Sequence, residues 1–326
     1  MSPDLPQPLR AALERELEGV SRRGLAERAA RTSAAYRAGQ GSAGVIRGLD
    51  DALAYALARL PATYAACASV FDEAARRAPG FAPRSVLDAG SGPAAASWAA
   101  LEAWPGVESV TWLDASGPFL DLAGRLAAEA PAPIHGAARL RADLTGGGTS
   151  WPKADLVAAS YALAEIPEAR QAEVVGALWA AASGLLVLVE PGTPAGFARL
   201  LRAREALVAQ GADILAPCPH ARACPLAAPD WCHFAVRLPR SRDHRLAKGA
   251  DAPFEDEKFA YLAAARPGVG VGAAASRVLR HPRSGKPGLE LRLCGPEGLE
   301  TRFVGKRDKA AHARARRLGW GDAWDA

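Results

Sequence analysis

The sequence predicts an α/β protein built on a doubly wound, mostly parallel sheet. Three observations predict it. Short continuous apolar runs alternate with helical stretches between residues 84 and 210. Unbroken apolar strands of that kind belong to parallel sheets covered on both faces. A glycine-rich loop, Gly90-Ser91-Gly92, follows the first run directly. Acidic residues then close the next two runs, at Asp114 and Asp143.

Residues 1–80 read as an N-terminal helical region rich in Ala, Leu, Glu and Arg. Leu49, Leu53, Leu57 and Leu60 fall at helical spacing. Pro61 is expected to open a further helix at its first turn, running to about Ala78, and Pro79-Gly80 ends it. The core spans 81–210, with strands expected at Ser85-Val86-Leu87, Val110–Leu113, Ala137–Ala142, Asp155–Ala159 and Leu185–Val189. Residues 211–266 are rich in Pro, His, Cys and Arg and weakly periodic, and so read as an insertion organised by something other than a core. Residues 267–305 read as a hairpin, Ser276–His281 with Leu289–Cys294, expected to complete the sheet. Residues 306–326 are a basic tail with a short helix over 307–318.

Composition bounds the classes open to the chain. With 326 residues, 49% hydrophobic and 23% charged, it is globular, with a length suited to about two domains. Five cysteines are too few for a disulfide scaffold. The first residues lack a basic start followed by an apolar core, and Asp4, Glu14, Glu16 and Glu18 argue against a transit peptide. The longest apolar stretch, Gly176–Val189, is 14 residues, too short to span a bilayer. The expectation is a cytoplasmic protein, off the membrane, with reduced thiols.

The glycine loop sets the first chemical expectation. Gly90-x-Gly92-x-x-Ala95 also fits a dinucleotide fingerprint. Asp88, two residues before Gly90, decides against that: a carboxylate there repels a pyrophosphate. It suits the sulfonium and amino group of S-adenosylmethionine. Asp114 lies 22 residues after Gly92, where an acid can accept both ribose hydroxyls. Asp143 and Leu144 end the third strand, where a carboxylate can take an adenine amino group. Acids in this order on successive strand ends are the signature of a class I methyltransferase, Rossmann-like fold. The candidate cofactor residues are Asp88, Gly90, Ser91, Gly92, Asp114, Asp143 and Leu144. No catalytic residue is identified. The fourth strand runs into Ser160-Tyr161-Ala162-Leu163, with no Asn/Asp-Pro-Pro-aromatic motif; Tyr161 and Glu165 are pocket candidates at most.

Cys67 sits among alanines and reads as core. Cys218, Cys224, Cys232 and Cys294 are separated by five, seven and sixty-one residues. No pair has the two-residue gap of a zinc knuckle. Cys218 and Cys224 each precede Pro, as at iron–sulfur sites. Four thiolates suffice for a 4Fe-4S cluster; His220 and His233 keep a mixed zinc site open.

Charge is uneven. Residues 233–317 hold 19 Lys plus Arg against 9 Asp plus Glu, a net +10, within a chain of +5, so the remainder is −5. Arg237, Arg240, Arg242, Arg245 and Lys248 form one run, the candidate RNA-binding arm. Salt bridges to Glu255, Asp256 and Glu257 are the alternative for some of them.

Several segments together resemble a known family. They are Arg59-Leu60-Pro61-Ala62-Thr63-Tyr64, Leu87-Asp88-Ala89-Gly90-Ser91-Gly92-Pro93, Glu190-Pro191-Gly192-Thr193-Pro194, Cys218-Pro219-His220, Cys224-Pro225-Leu226, Asp230-Trp231-Cys232-His233-Phe234 and Glu255-Asp256-Glu257-Lys258-Phe259. From about residue 26 to 305 the chain is similar to the Rsm-twenty-two, or methyltransferase-like-seventeen, group of small-ribosomal-subunit factors. The resemblance implies an assembly factor docking on small-subunit ribosomal RNA, a bacterial-type cytoplasmic relative, monomeric off the 30S subunit. It implies a 4Fe-4S cluster on Cys218, Cys224, Cys232 and Cys294. It implies either S-adenosylmethionine-dependent methyl transfer to ribosomal RNA or a non-catalytic role in ribosome biogenesis.

Overall fold

The computed structural model describes residues 3–37, 41, 44–146, 150–272 and 274–325. Three helices come first: α1 (Gln7–Glu16), α2 (Arg22–Arg37) and α3 (Leu49–Arg77). The sheet domain follows as β1 (Ser85–Ala89), α4 (Ala95–Ala103), β2 (Ser109–Asp114), α5 (Gly117–Leu126), α6 (Ala132–His135), β3 (Ala138–Arg141), β4 (Ala154–Ser160), α7 (Glu168–Ala181), β5 (Ala182–Pro191) and α8 (Pro194–Ala209). Then come β6 (Asp213–Ala216), β7 (Phe234–Pro239), α9 (Arg242–Lys248) and β8 (Phe254–Ala265). The C-terminal part holds β9 (Arg277–Val278), β10 (Arg283–Ser284), β11 (Gly288–Gly295), β12 (Gly298–Gly305) and α10 (Lys309–Ala315).

The main sheet has the order β3-β2-β1-β4-β5-β8-β6, with β7 also paired to β8. Strands β1 to β5 are parallel, and β8 runs antiparallel to both β5 and β6. An antiparallel strand slotted beside the fifth parallel one is the class I methyltransferase arrangement, so the expected fold class is met by the strand order itself. Leu185–Val189 of β5 is buried on both faces, which is why it reads as an unbroken apolar run. One face packs on α3 and α4, the other on α7 and α8.

Two expectations about elements are corrected. Pro61 does not open a helix: it lies inside the 29-residue α3. An internal proline costs about 3 kcal/mol. Leu57, Leu60 and Tyr64, all buried on either side of it, keep the helix continuous. The C-terminal hairpin does not complete the main sheet either. Strand β8, from the segment expected to be an irregular insertion, does so, and β9–β12 form a separate four-stranded sheet. Leu289, Leu291, Leu293 and Val304 bury one face of that sheet with Ala315 of α10 and Trp324. No helix among the described residues is long and apolar enough to cross a membrane.

Candidate functional site

The glycine loop stands at the C-terminal edge of the parallel strands, where open α/β sheets bind ligands. Gly90 and Gly92 take φ of +68° and +51°. Gly90 must be glycine for a second reason: a Cβ there would lie 2.7 Å from the Ala162 Cβ. A Cβ on Gly92 would meet nothing within 4 Å, so that side of the loop is open. Leu113 O fixes the loop by accepting from the Gly90 and Ser91 amides, at 2.7 and 3.1 Å. Ala94, also at positive φ (+66°), caps α4 without a side-chain hydrogen bond.

Asp114 reaches back from the tip of β2. Its Oδ2 accepts from the Gly92 amide at 2.7 Å and its Oδ1 from the Ser116 amide at 2.7 Å. Burial raises its carboxyl above the ordinary value, against the pull of those two bonds. Asp88 is wholly buried. Its Oδ2 accepts from the Ser97 amide (3.0 Å) and hydroxyl (2.7 Å), and so ties α4 to β1. Burial pushes this carboxyl up to about 7, with Asp114 adding repulsion. Asp88 Oδ1 and Ser91 Oγ are buried and have no partner. Asp143 is exposed on the rim, its Oδ1 taken by the Thr145 amide and hydroxyl, and the Leu144 side chain lies beside Gly90. The structure thus gathers Asp88, Gly90, Ser91, Gly92, Asp114 and Leu144 at one place, with Asp143 at its margin. It also turns Asp88 into the core and not towards the open side of Gly92.

Tyr161, at the tip of β4, takes φ of +59°. Its hydroxyl donates to Glu257 Oε1 at 2.7 Å, and the Arg59 guanidinium bonds the same carboxylate at 2.9 Å. This half-buried link joins the end of β4 to β8 and α3. Glu165 lies at the exposed surface.

Cys218, Cys224, Cys232 and Cys294 line one cavity, which is partly open to solvent. Cys218 follows β6, Cys232 precedes β7, and Cys294 stands near the end of β11. Phe197, Leu200, Leu226, Phe234 and Leu262 make the other walls apolar. All four thiols are free. Burial raises the Cys218 and Cys232 thiols and pushes Cys294 up to about 12, with neighbouring cysteines adding repulsion in each case. Among the described residues, no group of three or more His, Cys, Asp or Glu side chains is arranged to hold a single metal ion. Cys294 Sγ lies 3.8 Å from His220 Nε2. His233 is elsewhere, packed between Trp231 and Trp320 at ring distances of 5.1 and 4.1 Å.

Two arginines that sequence reasoning missed hold this cavity. Arg204 donates to the carbonyls of His220 and Arg222, both at 2.7 Å. Arg277 donates to Pro217 O at 3.0 Å and to Glu73 at 2.7 Å. Both are almost fully buried. Among 34 arginines, the only signal for Arg277 was its apolar setting, Ala273 to Leu279.

The candidate RNA arm is largely committed to acids. Arg237 grips Asp256 with two bonds, 2.7 and 2.8 Å. Arg240 and Lys248 both bind Glu255. Among the described residues only Arg242 and Arg245 of the five make no ion pair.

The family model described as "Mitochondrial small ribosomal subunit Rsm22" matches residues 49–325. The human "Ribosome assembly protein METTL17, mitochondrial" is 30% identical over 296 residues, covering 83% of this chain and 61% of that protein. The chain therefore spans about 61% of that relative's length. Among solved structures, magnesium protoporphyrin IX methyltransferase of Synechocystis, with bound S-adenosylmethionine, matches at TM-score 0.41 and 16% identity, over 68% of this chain and 84% of that one. Precorrin-6y C5,15-methyltransferase of Geobacter metallireducens matches at TM-score 0.40 and 16% identity, over 61% and 85%. The fold assignment rests on the strand order and not on these two likenesses. The family model covers most of the chain, and the chain belongs to the mitochondrial small ribosomal subunit Rsm22 family.

Proposed function

We propose that this chain is an RNA-binding assembly factor of the small ribosomal subunit, acting in the cytoplasm, with S-adenosylmethionine in the glycine-loop cleft and a 4Fe-4S cluster on its four late cysteines. The observation that carries the reading is the meeting of Cys218, Cys224, Cys232 and Cys294 on one cavity. It occurs in a chain whose human relative is named a ribosome assembly protein. A single zinc ion at about 2.3 Å draws its sulfurs to within roughly 4 Å of one another. A cluster, by contrast, holds its thiolates around an inorganic core. An apolar cavity that gathers four free thiols, with no three of them arranged around a single ion among the described residues, suits the second.

The cleft fits the cofactor on two counts. Ser91 Oγ, in the glycine loop itself, is a buried polar atom without a partner. Asp114 keeps lone pairs beyond those used by Gly92 and Ser116, enough to accept from ribose hydroxyls. S-adenosylmethionine, when bound, supplies an electrophilic methyl group. Asp114 orients the nucleoside, and the open side of Gly92 lets the backbone come close. The Tyr161–Glu257–Arg59 link closes the edge. No residue here is placed as a base, so transfer to ribosomal RNA would rest on orientation.

A second reading, assembly without turnover, is favoured by Tyr161. At the strand tip where an orienting motif would stand, its hydroxyl is engaged by Glu257. Calorimetric titration with S-adenosylhomocysteine, wild type against Asp114→Ala, tests the cleft; crosslinking to RNA in cells tests the partner. Saturable binding lost in D114A, with small-subunit RNA in the crosslinks, supports the proposal. Normal subunit assembly by D114A would select the second reading. No titration heat and no ribosomal RNA would overturn both.

A further inference from the structure

The C-terminal sheet has one buried face and one open face. The β11–β12 register places Glu290 opposite Phe303 and Arg292 opposite Thr301; β10 adds Arg283 opposite Glu290. Paired residues share a face, so Arg283, Glu290, Arg292, Thr301 and Phe303 all stand on the open one, and all are exposed.

Among the described residues Phe303 is the most exposed large apolar side chain, at 58%. Its ring edge lies where side chains on Gly288 and Gly305 would stand: a Cβ on Gly288 would meet Phe303 Cζ at 2.8 Å, and one on Gly305 would meet Cε1 at 3.6 Å. The two glycines face each other across the β11–β12 register. They let the ring settle against bare backbone while most of it stays in water.

The charge around the ring is one-sided. Arg283, Lys286, Lys306 and Arg307 are exposed and make no ion pair among the described residues. Arg292 bonds only the neutral Thr301 hydroxyl, at 3.3 Å. Glu290 is the acid of the face, and the neighbouring Asp308 is occupied in capping α10. The arm at 237–248 differs: there Glu255 and Asp256 take up three of the five cations.

We propose that this open face, and not the arm, is where the chain grips single-stranded RNA: one base stacks on Phe303 while Arg283 and Arg292 hold flanking phosphates. The inference rests on the RNA-binding reading above and assigns its surface. An exposed aromatic amid unpaired cations fits a polyanion with π faces. A protein partner would find a single aromatic on a face where Arg283 and Arg292 outnumber the one acid, Glu290.

The test is fluorescence anisotropy of the full chain with a labelled oligouridylate of about twelve nucleotides, within the usual site size for such surfaces. Phe303→Ala and Phe303→Leu should each weaken binding about tenfold, the order for one stacked base. Phe303→Tyr should bind as wild type. R283Q with R292Q should lower the slope of log affinity against log salt by about 1.4, at about 0.7 per phosphate on a single strand. Arg237→Gln should change little, since that side chain is spent on Asp256. Unchanged affinity in F303A and F303L overturns the inference alone and gives the face to a protein. No RNA binding by wild type overturns the RNA reading as well.

Discussion

Replacing Glu73 by Ala should be among the most damaging single changes in the molecule. Glu73, in α3, accepts from Arg277 at 2.7 Å, Arg77 at 3.0 Å and Arg76 at 2.8 Å. Arg77 keeps Asp325, and Arg76 is largely in water. Among the described residues Arg277 makes no second ion pair, and its side chain is only 4% exposed. Removing one partner of a buried ion pair costs about 3–5 kcal/mol, because the other charge stays uncompensated. For 326 residues, an unfolding entropy near 2.1 cal/mol/K per residue turns about 4 kcal/mol into a fall of about 6 °C in Tm. Glu73→Gln, which can still accept a hydrogen bond, should lose roughly half as much. Burial alone would raise the Glu73 carboxyl, but Arg277 and Arg77 override it and hold it below its ordinary value. The ionised form is thus the stabilising one. Its contribution is complete above the unfolded value of about 4.3 and disappears as pH falls through the lower folded value. Scanning calorimetry of wild type and both variants from neutral to acid pH reads all of this. A Tm for E73A within 1 °C of wild type, on the order of a surface substitution, would refute the reasoning.

Three further outcomes follow from the same geometry. Asp88 has the opposite sign to Glu73: its folded value is raised to about 7. The protonated form is therefore favoured, and stability should decline as pH rises from about 4 through 7. Asp88→Asn should flatten that decline in a Tm-against-pH series, and an unchanged slope would contradict it. Asp114→Ala removes the acceptor for two loop amides and should lower stability by about 1–2 kcal/mol in urea unfolding, with at least a tenfold loss in S-adenosylhomocysteine affinity. Arg204→Met should free the carbonyls of His220 and Arg222, seen as faster amide hydrogen exchange confined to residues 217–232; exchange unchanged there would remove Arg204 as a brace.

Strands β1, β4 and β5 were legible because they are buried on both faces and so read as continuous apolar runs. The antiparallel part of the sheet was not. Strand β8 begins Phe254-Glu255-Asp256-Glu257, which reads as a solvated acidic stretch. Those acids are strand residues whose register sets Arg237 opposite Asp256 and Leu238 opposite Glu255. Those acids take Arg237, Arg240 and Lys248, three of the five cations that sequence alone would send to RNA. Helix continuity through Pro61 was hidden for a related reason: packing on both sides outweighs a local preference. The cysteine spacing pointed to a shared site, and the cavity collects all four. The buried arginines that brace it are invisible among so many exposed ones. The acids beside the glycine loop stand at strand ends as their positions suggest, but the turn of Asp88 towards Ser97 was not legible.

Iron and acid-labile sulfide counted per chain after anaerobic purification bear most directly on the central claim. About four of each are expected, in a brown protein, with loss of both on Cys224→Ser or Cys294→Ser. Cys67→Ser, in the buried middle of α3, should leave them unchanged. A colourless chain holding stoichiometric zinc, or iron that survives both substitutions, would contradict it.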